Sequence, residues 1–318
     1  TAVEPPEQLA SLITTPLFHV TANNCVAHPL TPQGGKLVHM HKWDAGRALE
    51  LIEAEKITAV TGVPVMAREL LAHPDFAKYD TSSMRGLGGG GAQLQPDLVG
   101  KIAKTPARPG TGYGMTETSG VITSIGGDFF VDRPQSAGPV MPTFEAKLVD
   151  ADGNEVPPGA SGELWVKGAP VIKGYINRPD ATAEAITDGW MHTGDVARMD
   201  DEGFVYIVDR VKDMVSRGGE NVYCAEVEAA IFEHPAVAEC SVFGIPDQRL
   251  GEEVGAAVFC KDDLSVDPEA LRAHCAERIA AHKIPRYIWL VDEPLPRNAS
   301  GKFLKRELRE RLDIEAAR

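Results

Sequence analysis

Three strand-like segments alternate with three helix-like segments in the first third of the chain, and this order restricts the fold more than any other feature. A residue that typically starts a helix stands at or after the end of each strand-like segment: Asp44 as an N-cap, and Pro64 and Pro96 as first helical residues. The three strand-like segments are KLVHMH (36–41), ITAVTGVP (57–64) and MRGLGGGG (84–91). Such alternation predicts a parallel, doubly wound sheet whose ligands lie at the carboxyl ends of the strands, where the glycines fall.

Two features of the same region concern histidines. The apolar run SLITTPLF (11–18) predicts a further buried strand, closed by His19. His39 and His41 would lie on one face of their strand, as two metal ligands would. Because no third ligand follows at a recognisable spacing, we interpret both as solvated or core histidines.

The pattern changes after Gly138 from alternating strands and helices to strands alone, with turns at Gly153 and Gly203. This predicts a small barrel or sandwich, with Asp195 at a turn between two of its strands.

A second, α+β domain follows Arg210. We expect it to contain a short hairpin around Gly218 and Gly219, a helix from Pro268 to Ala281, and a final helix from Phe303 onwards whose charges are solvated. The sequence thus predicts an α/β protein with a large domain over 1–210, divided into a doubly wound sheet (1–137) and a β-barrel-like subdomain (138–210), and a mobile α+β C-terminal domain (211–318).

Composition excludes some classes of partner. With 32 Lys and Arg against 46 Asp and Glu, the net charge is −14, which disfavours nucleic acid. No run of about 18 apolar residues occurs and no signal peptide opens the chain, so we expect a soluble, cytoplasmic protein without a transmembrane segment. The cysteines are odd in number and lack CxxC spacing, so we interpret them as reduced packing residues: Cys25, Cys224, Cys240, Cys260 and Cys275.

The segment PGTGYGMTETSG (109–120) has a residue for each need of a nucleotide site. Gly112 and Gly114 permit tight backbone turning, and Tyr113 offers a flat face for adenine. The Thr116 hydroxyl can donate a hydrogen bond to a phosphate, and Glu117 supplies a hard oxygen for Mg²⁺. A chance glycine-rich turn would explain the glycines but not the Tyr, Thr and Glu together.

Four motifs in one order carry a family resemblance. They are GTGYGMTET (110–118), HTGD (192–195), DRVKDMVSRGGENVYCAEVE (209–228) and PRNASGK (296–302). Together they resemble the adenylate-forming superfamily of acyl-CoA synthetases, firefly luciferase and peptide-synthetase adenylation domains, and most of all bacterial-type acyl-CoA ligases. The resemblance covers nearly the whole chain. The Gly/Ser/Thr-rich phosphate loop of that family is absent, so we expect the chain to be the C-terminal part of a longer enzyme and incomplete for catalysis.

The resemblance implies a role for individual residues in the large domain. His19 would lie at the mouth of the acyl pocket, with a packed histidine at a strand end as the alternative. Asp195 and Arg210 would hold the ribose, with a turn aspartate satisfying its own backbone as the alternative for the former. Gly90, Gly91 and Ala92 would line the adenine and acyl pockets, with a flexible loop as the alternative. The nucleotide would also be bound by Gly112, Tyr113, Gly114 and Met115.

Other residues would serve the catalytic steps in the same way. Lys302 would bridge the substrate carboxylate and the phosphate, and Lys212 would be the hinge of the small domain. Gly218, Gly219 and Glu220 would form the channel for CoA. Arg217 beside them departs from the family pattern, and we leave open whether it contacts CoA phosphates or is solvated.

The function implied is an AMP-forming acyl-CoA synthetase that uses ATP, Mg²⁺ and CoA. It would convert a carboxylic acid, typically a fatty acid, into an acyl-AMP and transfer the acyl group to CoA. Two alternatives stay open: an acyl-AMP ligase that loads a carrier protein, and a truncated, non-catalytic fragment. The resemblance also leaves a homodimer open.

Overall fold

The computed structural model describes residues 8–261, 264–297, 303–314 and 317. The chain divides into two compact units, the first comprising Thr1–Thr193 and Ala197–Ile207, and the second Gly194–Val196 and Val208–Arg318. The domain boundary predicted after residue 210 remains a prediction. Within the described residues, no helix has both the length and the apolar character needed to cross a membrane.

The first unit is built on a six-stranded sheet that confirms the predicted doubly wound class. The strand order is β2-β1-β3-β4-β5-β6, parallel except for β6. The strands are β1 (Ala10–Ile13), β2 (Lys36–His39), β3 (Ala59–Gly62), β4 (Gly86–Gly89), β5 (Arg108–Met115) and β6 (Gly120–Gly126). Three helices follow β2, β3 and β4 in turn: α1 (Ala45–Glu55), α2 (Pro64–Ala72) and α3 (Pro96–Ile102).

Both faces of this sheet are covered. Leu12 of β1 points into the larger apolar cluster with helix residues such as Leu49 and Leu98. Ile13, its neighbour in sequence, belongs to a separate cluster with Val26 from the helical segment 20–33. Since successive side chains of a strand point to opposite faces, helices flank the sheet on both sides, as in a doubly wound fold.

Strand β1 is shorter than predicted. It ends at Ile13, and the Pro16 carbonyl accepts a hydrogen bond from the His19 backbone N–H in a turn. Proline has no N–H to donate to a strand ladder, so pairing stops before it. The predicted strand residues that follow are outside the core; Phe18 is 92% exposed. His19 is an N-cap, its Nδ1 accepting from the Thr21 N–H at 3.2 Å.

Helix α1 begins as predicted. The Asp44 carboxylate accepts a hydrogen bond of 2.7 Å from the Arg47 N–H, and Leu49 and Ile52 on the inner face are fully buried. We expect Asp44→Ala to lower the free energy of unfolding by about 1 kcal/mol, because the helix loses its cap. Urea unfolding checks this, with Asp201→Ala on an exposed turn as the control. Equal losses in the two variants would contradict the capping role.

A second, antiparallel sheet forms the β-rich region that the sequence predicted after Gly138. Its order is β7-β12-β11-β9-β8, with β10 paired to β11. The strands are β7 (Gly138–Pro139), β8 (Phe144–Val149), β9 (Ser161–Gly168), β10 (Ile186–Thr187), β11 (Trp190–Met199) and β12 (Phe204–Arg210), and two short helices are α4 (Asp128–Asp132) and α5 (Pro179–Ala185). Its core contains Leu164, Val166 and Met191.

The second unit has the predicted α+β composition. Its five-stranded sheet comprises β13 (Val215–Arg217), β14 (Glu220–Val222), β15 (Val237–Asp247), β16 (Gly251–Cys260) and β17 (Tyr287–Val291). Its helices are α6 (Cys224–Phe232), α7 (Pro268–Ala276) and α8 (Lys305–Arg311). Helix α7 ends five residues before the predicted Ala281, and α8 starts at Lys305 rather than at the predicted Phe303.

One charge of α8 is not solvated, contrary to the sequence interpretation. The Lys305 side chain is 19% exposed, and its Nζ lies 3.0 Å from Glu228 Oε1. Burial raises the pKa of Glu228, which the Lys305 ammonium opposes. The pair therefore joins α8 to α6 through a largely desolvated contact.

Candidate functional site

The floor of the candidate site is bare backbone contributed by β4 and β5. A Cβ at Gly88 would overlap the carbonyl oxygen of Gly110, and one at Gly89 would overlap that of Gly62. The neighbouring strands therefore leave no room for a side chain at these two positions. A ligand can approach the peptide planes directly there, as the glycine run predicted.

A cavity of about 290 Å³ lies over this floor, within the first unit. Five of the predicted pocket residues line it: Gly90, Gly91, Gly112, Tyr113 and Gly114. Ala92 and Met115 do not, although Met115 ends β5. His19 does not line the cavity either, whereas Val20, the next residue, does. The structure thus brings together residues from two separate motifs, while their roles remain predictions.

The glycines of GTGYGMTET serve a different purpose from the one predicted. Gly112 and Gly114 lie inside β5, so they do not make tight turns. A Cβ at Gly114 would overlap the carbonyl oxygen of Gly120 in the paired strand β6, and one at Gly112 would come within 3.2 Å of the Thr123 oxygen. Close approach of two strands, rather than turning, is what requires glycine here.

Part of the cavity wall was missed by the sequence analysis. Thr21 and Cys25 of the helical segment 20–33 line it together with Val121 of β6. Burial raises the pKa of the Cys25 thiol, which keeps it protonated near neutral pH. Cys25 is thus a wall residue as well as a packing residue. The spacing of four between Thr21 and Cys25 places them on one helical face, and it was the one available signal.

Thr116 and Glu117 lie just beyond β5, in a single 3₁₀ turn, Thr116–Thr118. Ser119 ends this turn in the left-handed conformation at φ 56°. Thr116 is exposed, whereas Thr118 is buried and its hydroxyl lies 3.0 Å from the Gly120 carbonyl. The buried threonine fixes the turn, and the exposed one is available to a ligand.

Glu117 has the properties expected of a ligand to Mg²⁺ that arrives with a nucleotide. No cluster of three or more His, Cys, Asp or Glu side chains that could hold a metal occurs in the described part of the chain. Magnesium, however, is commonly held by one or two carboxylates together with substrate phosphates and water. A single carboxylate at the end of β5 therefore fits Mg²⁺ bound with ATP and does not fit a resident metal.

Asp195 lies within strand β11, so its predicted place at a turn is wrong. Asp195 is only 8% exposed, and its Oδ1 lies 3.3 Å from Nε of Arg210. Both residues belong to the second unit, where the Val211 N–H also donates to the Gly194 carbonyl at 2.9 Å. The two residues predicted to hold the ribose are thus paired with each other, with the arginine 42% exposed.

The predicted glycine hairpin is present between β13 and β14. Gly218 and Gly219 have φ of 61° and 88°, which only glycine adopts readily. Beside them, Arg217 forms two hydrogen bonds of 2.8 and 2.9 Å to Glu253, whose side chain is 1% exposed. Glu220 lies on the other side, 3.4 Å from Nδ1 of His282. Arg217 therefore anchors the hairpin, a role outside both alternatives that the sequence left open.

Two predicted residues complete the set. Lys212 is exposed and lies in the second unit, two residues after the end of β12. Lys302 lies outside the described residues.

Comparisons with known proteins agree on one family. The family profile of AMP-binding enzymes matches residues 2–176, and that of the AMP-binding enzyme C-terminal domain matches residues 226–302. A feruloyl-CoA synthase of Amycolatopsis sp is 40% identical over 304 residues, which are 95% of this chain and 61% of that protein. A long-chain-fatty-acid–CoA ligase of Escherichia coli is 40% identical over 299 residues, 93% of this chain and 52% of that protein.

A solved structure is similar throughout the chain. The o-succinylbenzoate CoA synthetase (MenE) of Bacillus subtilis, in complex with ATP and magnesium ion, superposes with a TM-score of 0.86 at 33% identity. The match covers 96% of this chain and 62% of that one. The chain therefore spans less than two thirds of the length of each of these proteins.

Proposed function

The chain belongs to the family of AMP-binding enzymes, and from this we propose that it carries out carboxylate activation as part of an AMP-forming acid–CoA ligase. The observation that supports this most is the glycine-floored cavity with Tyr113 in its wall and Thr116 and Glu117 at the end of the same strand. Within five residues the chain offers an aromatic ring that can stack on a base, a hydroxyl that can donate a hydrogen bond to a phosphate, and a carboxylate that can bind a metal ion. This set suits a nucleotide that reacts at its phosphates.

In the first step, a carboxylate oxygen of the acid attacks the α-phosphorus of ATP and pyrophosphate leaves. Thr116 would donate a hydrogen bond to a phosphate oxygen, and Lys302 would lie between the acid and the α-phosphate while negative charge builds up. Mg²⁺ held by Glu117 would neutralise phosphate charge. The catalytic contribution is positioning and charge stabilisation, without a covalent enzyme intermediate.

In the second step, the CoA thiol attacks the acyl carbonyl and AMP leaves. Gly218 and Gly219 would leave room for the pantetheine arm, since neither has a side chain. Asp195 would accept hydrogen bonds from the ribose hydroxyls, held in place by Arg210. Lys212 would be the hinge at which the small domain turns between the two steps, so that Lys302 is withdrawn and the hairpin of Gly218 and Gly219 is brought in.

The substrate we propose is a carboxylic acid whose remaining part is apolar. Val20, Cys25 and Val121 are among the apolar residues of the cavity wall, while the glycine floor admits a flat ring as well as an alkyl chain. The relatives named above act on ferulate, o-succinylbenzoate and long-chain fatty acids, which include both aromatic and aliphatic acids. Loading of a carrier protein is the competing acceptor.

We expect the complete protein that carries this chain to form AMP and pyrophosphate from ATP in the presence of acid and Mg²⁺. Chromatography of the nucleotide products, across short, long and aromatic acids, tests this, with Glu117→Gln as the impaired control. ADP as the product would refute the proposal. Acyl-AMP that reacts with a carrier protein but not with CoA would replace the acceptor and retain the first step.

A further inference from the structure

The Glu117 carboxylate has a partner far away in sequence. The hydroxyl of Tyr175 donates a hydrogen bond of 2.9 Å to Glu117 Oε1, across 58 residues. The tyrosine residue is 37% exposed, so its place is not set by deep packing.

The loop that carries Tyr175 is fastened to the Glu117 turn at two further points. The Ser119 hydroxyl donates to the Pro170 carbonyl at 2.8 Å, and the Ile172 N–H donates to the Glu117 carbonyl at 2.8 Å. The Tyr175 N–H in turn donates to the Thr182 hydroxyl at 2.9 Å, at the start of α5. Side chain and backbone of Tyr175 are thus both held, and the hydroxyl is presented to Glu117 in a defined direction.

This arrangement leaves half of the carboxylate for another ligand. A carboxylate has two oxygens and can accept several hydrogen bonds, so a hydrogen bond from Tyr175 to Oε1 leaves Oε2 able to bind a further group. Carboxylates that bind metal ions are usually oriented by hydrogen bonds from neighbouring groups, and loss of such a partner weakens metal binding. A hydroxyl donor is also neutral, so it orients the carboxylate without competing with a cation for its charge.

We propose that Tyr175 is a positioning residue that holds Glu117 with one oxygen directed toward the Mg²⁺ bound with ATP. The inference rests on the proposed function, in which Glu117 is the protein ligand of that ion. The chain offers a matched control, because Tyr206 donates in the same way to Asp200, at 3.0 Å, in another part of the first unit.

The test measures binding without turnover. The affinity of the complete protein for α,β-methylene-ATP is measured by calorimetry, once with Mn²⁺ and once with EDTA. The dissociation constant in EDTA divided by that in Mn²⁺ gives the contribution of the metal. We expect Tyr175→Phe to reduce this ratio about tenfold, at the lower end for an orienting partner, and to leave the affinity in EDTA unchanged. Glu117→Gln should reduce the ratio at least as much, and Tyr206→Phe should leave it within about twofold.

The outcomes separate the two proposals. An unchanged ratio in Tyr175→Phe with a reduced ratio in Glu117→Gln would overturn the role of Tyr175 and leave the proposed function intact. Equal weakening of both affinities in Tyr175→Phe would mean a general structural role and would also overturn it. An unchanged ratio in Glu117→Gln would remove Glu117 from the metal site and with it both assignments. Thermal unfolding of each variant identifies any loss of fold.

Discussion

Lys302→Ala is expected to slow acyl-adenylate formation about 10²- to 10³-fold while leaving conversion of supplied acyl-AMP to thioester near its normal rate. That is the size of effect when one preorganised contact to developing charge is removed. Gly219→Leu should do the reverse, because a branched side chain would obstruct the path of the thiol. In the described structure, no heavy atom lies within 4 Å of the position of a Cβ on Gly219, so the added side chain starts in open space.

Backbone strain is the competing explanation for an effect of Gly219→Leu, since its φ is 88°. Gly203→Leu is the matched control: its φ is 84°, it lies in the β11–β12 turn, and among the described residues a Cβ there also has no neighbour within 4 Å. Single-turnover assays started from acid plus ATP, and separately from acyl-AMP plus CoA, measure the two half-reactions. Equal slowing of both half-reactions by Lys302→Ala and by Gly219→Leu would show these residues to be general supports of the fold.

Arg217→Ala is expected to destabilise the second unit by about 3 kcal/mol. The substitution leaves the Glu253 carboxylate, 1% exposed, with Arg286 at 3.6 Å as its remaining ion partner among the described residues, and a buried charge that loses its closest partner is costly. The exposed pair of Arg278 and Glu233, at 2.8 Å with the carboxylate 65% exposed, is the control. Arg278→Ala should cost about 1 kcal/mol or less, because water replaces the lost partner.

Hydrogen exchange of the β15 and β16 amides during urea titration measures both variants in the complete protein. Similar losses in Arg217→Ala and Arg278→Ala would mean that the Glu253 pair is no stronger than a surface pair. Since Arg217 immediately precedes Gly218, we also expect its loss to slow the thioester step more than adenylation.

Local patterns in the sequence were sufficient for most of the fold. Pro64 and Pro96 start their helices, Asp44 caps α1, and Gly218 and Gly219 make the hairpin, because each of these depends on the conformational preferences of one or two residues. The alternation of strands and helices likewise predicted the parallel sheet. The prediction of β1 did not take Pro16 into account, and this proline ends the strand pairing before the apolar run ends.

The parts of the site that the sequence did not predict depend on contacts between distant residues. Tyr175 meets Glu117 across 58 positions, and Arg217 meets Glu253 across 36. Neither pairing leaves a trace in spacing or periodicity, so the sequence singled out Glu117 and Arg217 but did not reveal the partner of either. Asp195 was misplaced for a related reason: HTGD has the composition of a turn, but strand pairing in the β-rich sheet overrides that preference.

The glycine floor limits how this chain can change its substrate in evolution or in the laboratory. Because a side chain at Gly88, Gly89 or Gly114 would overlap the backbone of a neighbouring strand, no substitution there can reshape the cavity without separating the sheet. Thr21 and Cys25 also line the cavity, but they belong to the helical segment 20–33, so their side chains can change size without disturbing the strand pairing. Libraries for altered substrate range therefore belong first at these two positions, and the glycines are best left fixed.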